Sequence, residues 1–293
     1  MPLLSRPRVT LSLEPDELRV LVVERGQQVT TWGRVRLSPG TMQGDVIRNP
    51  LAVAQALHTL WQVHRIPSNR VVVSIPASQT SVRLVAVQPD QPVDRETALN
   101  LAARFWPLES SSVAWQVLEY VGRPMLFLLR VPQEVVDQIH ALFSEVGLRI
   151  VGLEPKPLAL LRAIGREQAI IVDVEPSLAT VVIADGGIPF HVAGYPLDAP
   201  LLSTAMSKAV RVVEFLNSAL GRYNVSGPGA PVDITVPLFC TGALGDFPFL
   251  HRLVREVLGQ TIERLTVPVP VPADLPVHRY MANVGLALKR RLW

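Results

Sequence analysis

The sequence predicts an α/β protein built on a duplication. Two stretches share an apolar-x-apolar-Glu-Pro turn, Leu11-Ser12-Leu13-Glu14-Pro15 and Val172-Asp173-Val174-Glu175-Pro176. The same order of meander, helix and strand follows each of them. At roughly 150 residues per domain, 293 residues suffice for two such cores, or for one core carrying an insertion. With 48% hydrophobic and 18% charged residues the chain is far from the composition of disorder.

Residues 8–13, 18–23 and 29–37 are short, rich in Val and Leu, and separated by the turn residues Glu14-Pro15-Asp16 and Glu24-Arg25-Gly26, which predicts a three-stranded meander. Leu51, Val53, Ala54, Leu57, Leu60 and Trp61 then recur at helical spacing between Pro50 and His64. Val71-Val72-Val73-Ser74-Ile75 reads as a buried strand closed by Pro76. The rhythm changes next: strands at 82–87, 113–120 and 125–131, with helices around 94–105 and 133–146, describe a compact α+β insertion. A short helix at 158–164 leads into the second meander, with strands at 169–174 and 178–184 and the hairpin signal Asp185-Gly186-Gly187. A helix over 201–220, a strand at 234–239, a helix near 247–258, a Pro-rich extended run at 267–276 and a helix up to Trp293 complete the chain.

Several classes are excluded on composition. Every apolar run is interrupted well short of the roughly 20 residues of a spanning helix. The first residues, MPLLSRPRVTLSLEP, carry no signal core, and the single Cys240 forms no internal disulfide, so a cytoplasmic setting is expected. Basic residues number 28 against 25 acidic, a net charge of +3 with no dense basic stripe, which argues against a nucleic-acid partner. All but three of those basic residues are Arg, the exceptions being Lys156, Lys208 and Lys289.

Catalytic signatures are missing. His58, His64, His140, His191, His251 and His278 are scattered, with no metal-ligand spacing to Cys240 or to one another. Cys240 ends an apolar strand and has no visible activating partner. Neither a G-x-S-x-G elbow nor a G-x-x-x-x-G-K-[ST] loop occurs. Asn224-Val225-Ser226 reads as a polar turn, and Lys289-Arg290-Arg291 beside Trp293 as charges favoured at a helix C-terminus.

Further landmarks are Val72-Val73-Ser74-Ile75-Pro76, Ala103-Arg104-Phe105-Trp106-Pro107-Leu108, Val131-Pro132, the stretch from Gly147 to Glu154, and Met281-Ala282-Asn283-Val284-Gly285-Leu286-Ala287-Leu288. In this order the chain resembles the PilM family of type IV pilus assembly proteins, a branch of the actin-like superfamily. The resemblance implies a duplicated actin-like (ribonuclease H-like) fold with an inserted SHS2-like subdomain and a shortened second half. The first half would be residues 1–77 with 154–167 and 277–293, the insertion 78–153, and the second half 168–276.

Members of that superfamily ordinarily hold ATP and magnesium in the cleft between the halves, and this sequence departs from their pattern at each loop. The positions of the first phosphate loop read Ser12, Glu14, Pro15-Asp16-Glu17 and Arg19. In the second loop Asp173 is retained but Glu175 and Pro176 follow, and the adenosine-contacting run reads Thr241-Gly242-Ala243, with one glycine, Gly242. Proline has no N–H to offer a phosphate, and a carboxylate about 4 Å from a phosphate charge is repelled by roughly 4 kcal/mol at an effective dielectric near 20. The expectation is a pseudo-ATPase with no cofactor, no metal and no catalytic residue; the alternatives are an active actin-like ATPase, with ATP and magnesium, of the pilus or a related secretion or competence machine, a non-enzymatic module of such a machine, and a metal held by Glu14 or Glu175 that bridges to phosphate. By the same resemblance the partner would be the cytoplasmic tail of a PilN-type inner-membrane protein, docked between the first half and the insertion and linking it to the assembly motor, with Arg83 and Lys156 as partner-binding residues.

Overall fold

The computed structural model describes residues 7–24, 28–88, 92–199, 201–226 and 231–289. Strands β1 (Arg8–Leu13), β2 (Glu17–Glu24) and β3 (Gln28–Arg36) form an antiparallel meander in which Leu13 pairs with Leu18 and Leu18 with Val35. The turn residues Arg25 and Gly26 lie outside the described residues. A two-residue hairpin, β4 (Met42–Gln43) and β5 (Val46–Ile47), is too short to show a period in the sequence. Helix α1 (Pro50–Val63) starts where the Asn49 side chain accepts the Ala52 N–H at 3.1 Å, with Pro50 in the first turn. It buries Val53, Ala54, Ala56, Leu57 and Leu60 against β2 and β3. Strand β6 (Arg70–Ile75) then pairs in parallel with β1.

The insertion forms a compact unit of its own, Ser78–Ala141. Its antiparallel sheet has β9 (Arg123–Pro132) between β7 (Ser81–Ala86) and β8 (Ser111–Tyr120). Helix α2 (Arg95–Ala102), capped by the Asp94 carboxylate on the Thr97 N–H at 2.8 Å, clusters through Ala98 and Ala102 with Leu126 and Leu128, and Trp106 beyond its end joins them. Helix α3 (Gln133–Glu145) leaves the sheet, and the unit ends inside it rather than at the expected residue 153. The reason is strand β10 (Arg149–Pro155), which pairs with β6 and so belongs to the first sheet.

That first sheet has the order β10-β6-β1-β2-β3. After helix α4 (Lys156–Ile164) come β11 (Ala169–Val174), β12 (Leu178–Asp185) and β13 (Ile188–Pro196), the second meander. Residues 197–204 join β13 to α5 (Ala205–Ser226). This helix begins four residues later than its periodicity suggests, because Thr204 and Ser207 exchange hydrogen bonds across its first turn at 3.0 and 3.2 Å. Strand β14 (Leu238–Thr241) pairs in parallel with β11; the expected strand at 234–239 is displaced because Asp233 bonds the Thr235 N–H at 2.7 Å and turns the chain there. Helices α6 (Pro248–Leu258) and α7 (Val277–Ala287) follow; residues Arg290, Arg291 and Trp293 lie outside the described residues.

The second sheet, β13-β12-β11-β14, repeats β3-β2-β1-β6 strand for strand. One face is covered by α5 and α6, with Val212, Val213, Leu216, Leu250 and Val254 over Ile170, Val172, Val181 and Ile183. On the other, α4 and α7 sit between the two sheets, where Leu160, Ile164, Tyr280, Met281 and Val284 pack with Leu21 and Val29 of the first and Ile171, Val182 and Phe239 of the second. Each such aliphatic side chain removed from water contributes about 1.5–3 kcal/mol. The two helices touch at Gly285, where a Cβ would lie 1.8 Å from the Ala159 carbonyl oxygen. Among the described residues no helix is long and apolar enough to cross a membrane.

Candidate functional site: a buried ion cluster at the paired turns

The two Glu-Pro turns have the same geometry. In the β1–β2 turn the Glu14 N–H donates to the Glu17 carbonyl at 3.0 Å, and in the β11–β12 turn the Glu175 N–H donates to the Leu178 carbonyl at 2.8 Å. The turns also meet, since Ser177 Oγ donates to Asp16 Oδ2 at 3.4 Å. Two carboxylates, Glu14 and Glu175, are thereby carried to one point between the sheets and buried there.

Arg19 on β2 is 1% exposed and reaches across from the first sheet. Its Nη1 and Nη2 grip Glu175 in a two-pronged pair at 2.8 and 2.6 Å, and its Nε donates to Glu17 at 2.6 Å. A planar guanidinium suits this fork, and such charged pairs are about twice as strong as neutral ones. Arg19 Nη1 also donates to the Arg279 carbonyl at 2.9 Å. Glu17 is held further by Arg34 at 2.8 Å and Arg279 at 3.4 Å.

Lys156, the first residue of α4, points its ammonium into the same volume. Nζ bonds Glu14 Oε2 and pairs with Asp173 Oδ2 at 2.6 Å, with Glu175 Oε1 3.8 Å away. The other Asp173 oxygen accepts from Thr241 Oγ1 at 2.7 Å. Glu14 Oε1 is buried without a hydrogen bond, 3.7 Å from Arg19 Nη1. Among the described residues, Glu14, Asp173 and Glu175 are the acidic group close enough to share one cation, their oxygens lying within 4.8 Å of one another.

The charges set the protonation. Burial raises the Glu175 carboxyl to about 7 against the pull of Arg19, and burial likewise raises Glu14. Asp173 resists the same burial because Lys156 holds it below the usual carboxylate range. Arg19 and Lys156 are both driven upward: burial opposes their charge, but the carboxylates around them outweigh it. Three acids facing two cations leave one proton to be shared by the Glu14–Glu175 pair.

Of the residues singled out in the sequence, Glu14, Arg19, Asp173 and Glu175 meet in this cluster. Ser12 stands beside it, with Oγ donating to Asn283 at 3.1 Å, and Asn283 in turn donates to the Arg19 carbonyl at 3.0 Å. Gly242 has φ +88 and lies over Val174, whose carbonyl oxygen a Cβ would approach to 2.5 Å, so the backbone tolerates only glycine there. The next residue, Ala243, donates its N–H to Glu175 at 3.3 Å. Lys156, expected on a partner surface, is corrected by the structure: it is 6% exposed and its charge is spent inside the cluster. Arg83 is exposed on β7, its guanidinium 5.9 Å from the ring centres of Phe105 and Trp106.

Asn283, Arg279 and the inward role of Lys156 were not legible from motif reading. A signal existed in the composition, where Lys is scarce: Lys156 fills the cluster, Lys208 bonds the Pro176 carbonyl at the second turn, and Lys289 lies 3.9 Å from Glu154. Cys240 is buried, and burial with the nearby Asp173 charge pushes its thiol up to about 12, the state of an inert thiol.

No protein-family model and no curated protein matches the sequence. Solved structures do match, and they define the class: the chain has the actin-like fold, shared over 98% of its length with a Bacteroides thetaiotaomicron protein described as having an actin-like ATPase fold (10% identity, 97% of that chain, TM-score 0.55). More similar is a chain of a PilM-PilN type IV pilus biogenesis complex, at 16% identity over 96% of this chain and 97% of that one, with a TM-score of 0.75. The cytoplasmic domain of EpsL, an inner-membrane component of the Vibrio cholerae type II secretion system, matches at 14% identity over 98% and 97% with a TM-score of 0.57.

Proposed function

We propose that the protein is a non-catalytic, actin-like adaptor of type IV pilus assembly. It binds the N-terminal tail of a PilN-type inner-membrane protein, works on the cytoplasmic side of that membrane through this partner, and links it to the assembly motor. The single observation that carries the non-catalytic part is Lys156, whose ammonium is ion-paired between Glu14 and Asp173. The actin-like fold implies ATP with magnesium, and the residues present do not fit that group. A magnesium ion at these carboxylates would have to displace Lys156, and a phosphate chain would face Glu14 and Glu175. Pro15 and Pro176 remove N–H donors from both turns. With one proton shared between Glu14 and Glu175, one repulsive term of roughly 4 kcal/mol remains, about half the binding free energy of a micromolar complex, about 8 kcal/mol.

The likeness to a PilM-PilN complex supports the choice of partner. The EpsL likeness favours a second setting for the same adaptor role, a type II secretion machine. An extended tail would bind through backbone hydrogen bonds and apolar pockets. Arg83 is retained as its candidate contact on the insertion.

The test is fluorescence anisotropy with a labelled synthetic tail of a PilN-type protein from the same organism. Saturable binding without nucleotide, unchanged by Mg-ATP and weakened severalfold by Arg83→Ala, is the expected result. No binding, or binding that appears only with Mg-ATP, overturns the proposal.

A further inference from the structure

We infer that Lys156 is a tethered cation: its ammonium holds the position that a divalent ion could take among the carboxylates of Glu14, Asp173 and Glu175, and fastens the two halves of the duplicated unit at that point. The inference deepens the nucleotide-free reading above and rests on it.

The geometry is that of a cation site. Oxygens of Glu14, Asp173 and Glu175 lie within 4.8 Å of one another, all from buried residues, so one small ion can touch all of them. They come from the two related turns, Glu14 between β1 and β2, Asp173 and Glu175 at the end of β11 and just beyond it. Lys156 comes from a further element, α4, and its Nζ contacts Glu14 and Asp173 directly with Glu175 at 3.8 Å. Glu14 also keeps a buried oxygen, Oε1, with no hydrogen bond.

Charge counting separates this arrangement from an ordinary ion pair. With Lys156 and Arg19 as the cations, the three carboxylates balance only with the proton that Glu14 and Glu175 share. With a divalent ion in place of the ammonium, the same three carboxylates and Arg19 balance. Oxygen-only sites of this type suit hard divalent cations. An ammonium anchored through its own chain needs no free ion, so the junction between the halves holds at any metal concentration. The halves are then joined permanently, as befits a binding scaffold rather than a site that opens for a ligand.

The experiment compares wild type, Glu14→Gln, Lys156→Met and the double variant Lys156→Met/Glu14→Gln as full chains without nucleotide. Mn2+ binding is read by electron paramagnetic resonance and stability by thermal unfolding, with and without millimolar MnCl2. Wild type is expected to bind no Mn2+ and to show no shift. Lys156→Met is expected to unfold at a lower temperature, to bind one Mn2+ per chain and to recover part of the lost stability when the ion is added. The double variant is expected to bind Mn2+ at least about tenfold more weakly, having lost a charged ligand.

A folded Lys156→Met that ignores Mn2+ overturns the inference, as does one that stays unfolded with the ion present, since an ion replacing the ammonium must restore the junction. Mn2+ binding by wild type that Glu14→Gln abolishes overturns it too. The first two results leave the nucleotide-free reading standing, whereas Mn2+ binding by wild type would remove its support; that reading itself falls if wild type binds Mg-ATP.

Discussion

Burial of Glu175 beside Glu14 has a consequence for stability that carries a definite sign. A carboxyl raised from 4.5 to about 7 in the folded state favours folding at low pH; its contribution is complete below the ordinary value and is lost as pH rises through about 7. Asp173 runs the other way, held below its ordinary 3.8, so its contribution is lost only on acidification. Urea unfolding of the wild type should therefore show stability falling between about pH 5 and 7.5. The same series on Glu175→Gln should be flatter, and an unchanged slope would show that the shared proton sits elsewhere. Arg19→Met, which takes the two-pronged partner from buried Glu175 and leaves Glu17 to Arg34 and Arg279, is expected to cost about 3–5 kcal/mol in the same assay, and a loss under about 1 kcal/mol would contradict the buried pairing. At this scale the sequence singled out Glu14, Pro15, Glu175 and Pro176, because Glu and Pro stand out by charge and missing N–H. It did not reveal what neutralises the acids, since the partners Lys156, Arg279 and Asn283 lie far along the chain from the turns they serve.

Among the elements, those with a sustained period were legible and those set by pairing or caps were not. The strands of both meanders and α1 follow from alternation and helical spacing, because one face of each is buried. Strand β10 escaped because a register shift between Ile150 and Gly152 breaks its alternation, and only its pairing with β6 makes it a strand. The start of α5 and the position of β14 were displaced by local side-chain bonds at Thr204 and Asp233. The contact of α4 with α7 depends on Gly285, which sits on the Ala159 carbonyl oxygen. Gly285→Ala forces the two helices apart and is expected to destabilise the protein by at least about 1–3 kcal/mol, measured as a lowered urea midpoint. A midpoint equal to the wild type would mean that α7 does not pack on α4 in this way.

Viewed as a whole, the molecule is one plan used twice: meander, helix and parallel strand, with α4 and α7 between the resulting sheets. The Glu-Pro repeat in the sequence anticipated this plan, and the structure gives its reason, since both turns deliver a glutamate to a single ion cluster. The division of the insertion was less legible, because residues 142–153 continue the helical and apolar pattern of the insertion while their strand joins the first sheet. In this actin-like fold the junction between the two sheets is closed by the protein's own side chains, with Arg19 and Lys156 paired to Glu14, Asp173 and Glu175.

The measurement that tests this most directly is thermal unfolding of the wild-type chain with and without millimolar Mg-ATP. A ligand that binds only the folded state at 100 times its dissociation constant adds about 2.7 kcal/mol of stability. The account predicts no shift with Mg-ATP and an upward shift with a synthetic PilN-type tail. An upward shift with Mg-ATP would mean that the ion cluster yields to nucleotide, and would contradict the central claim.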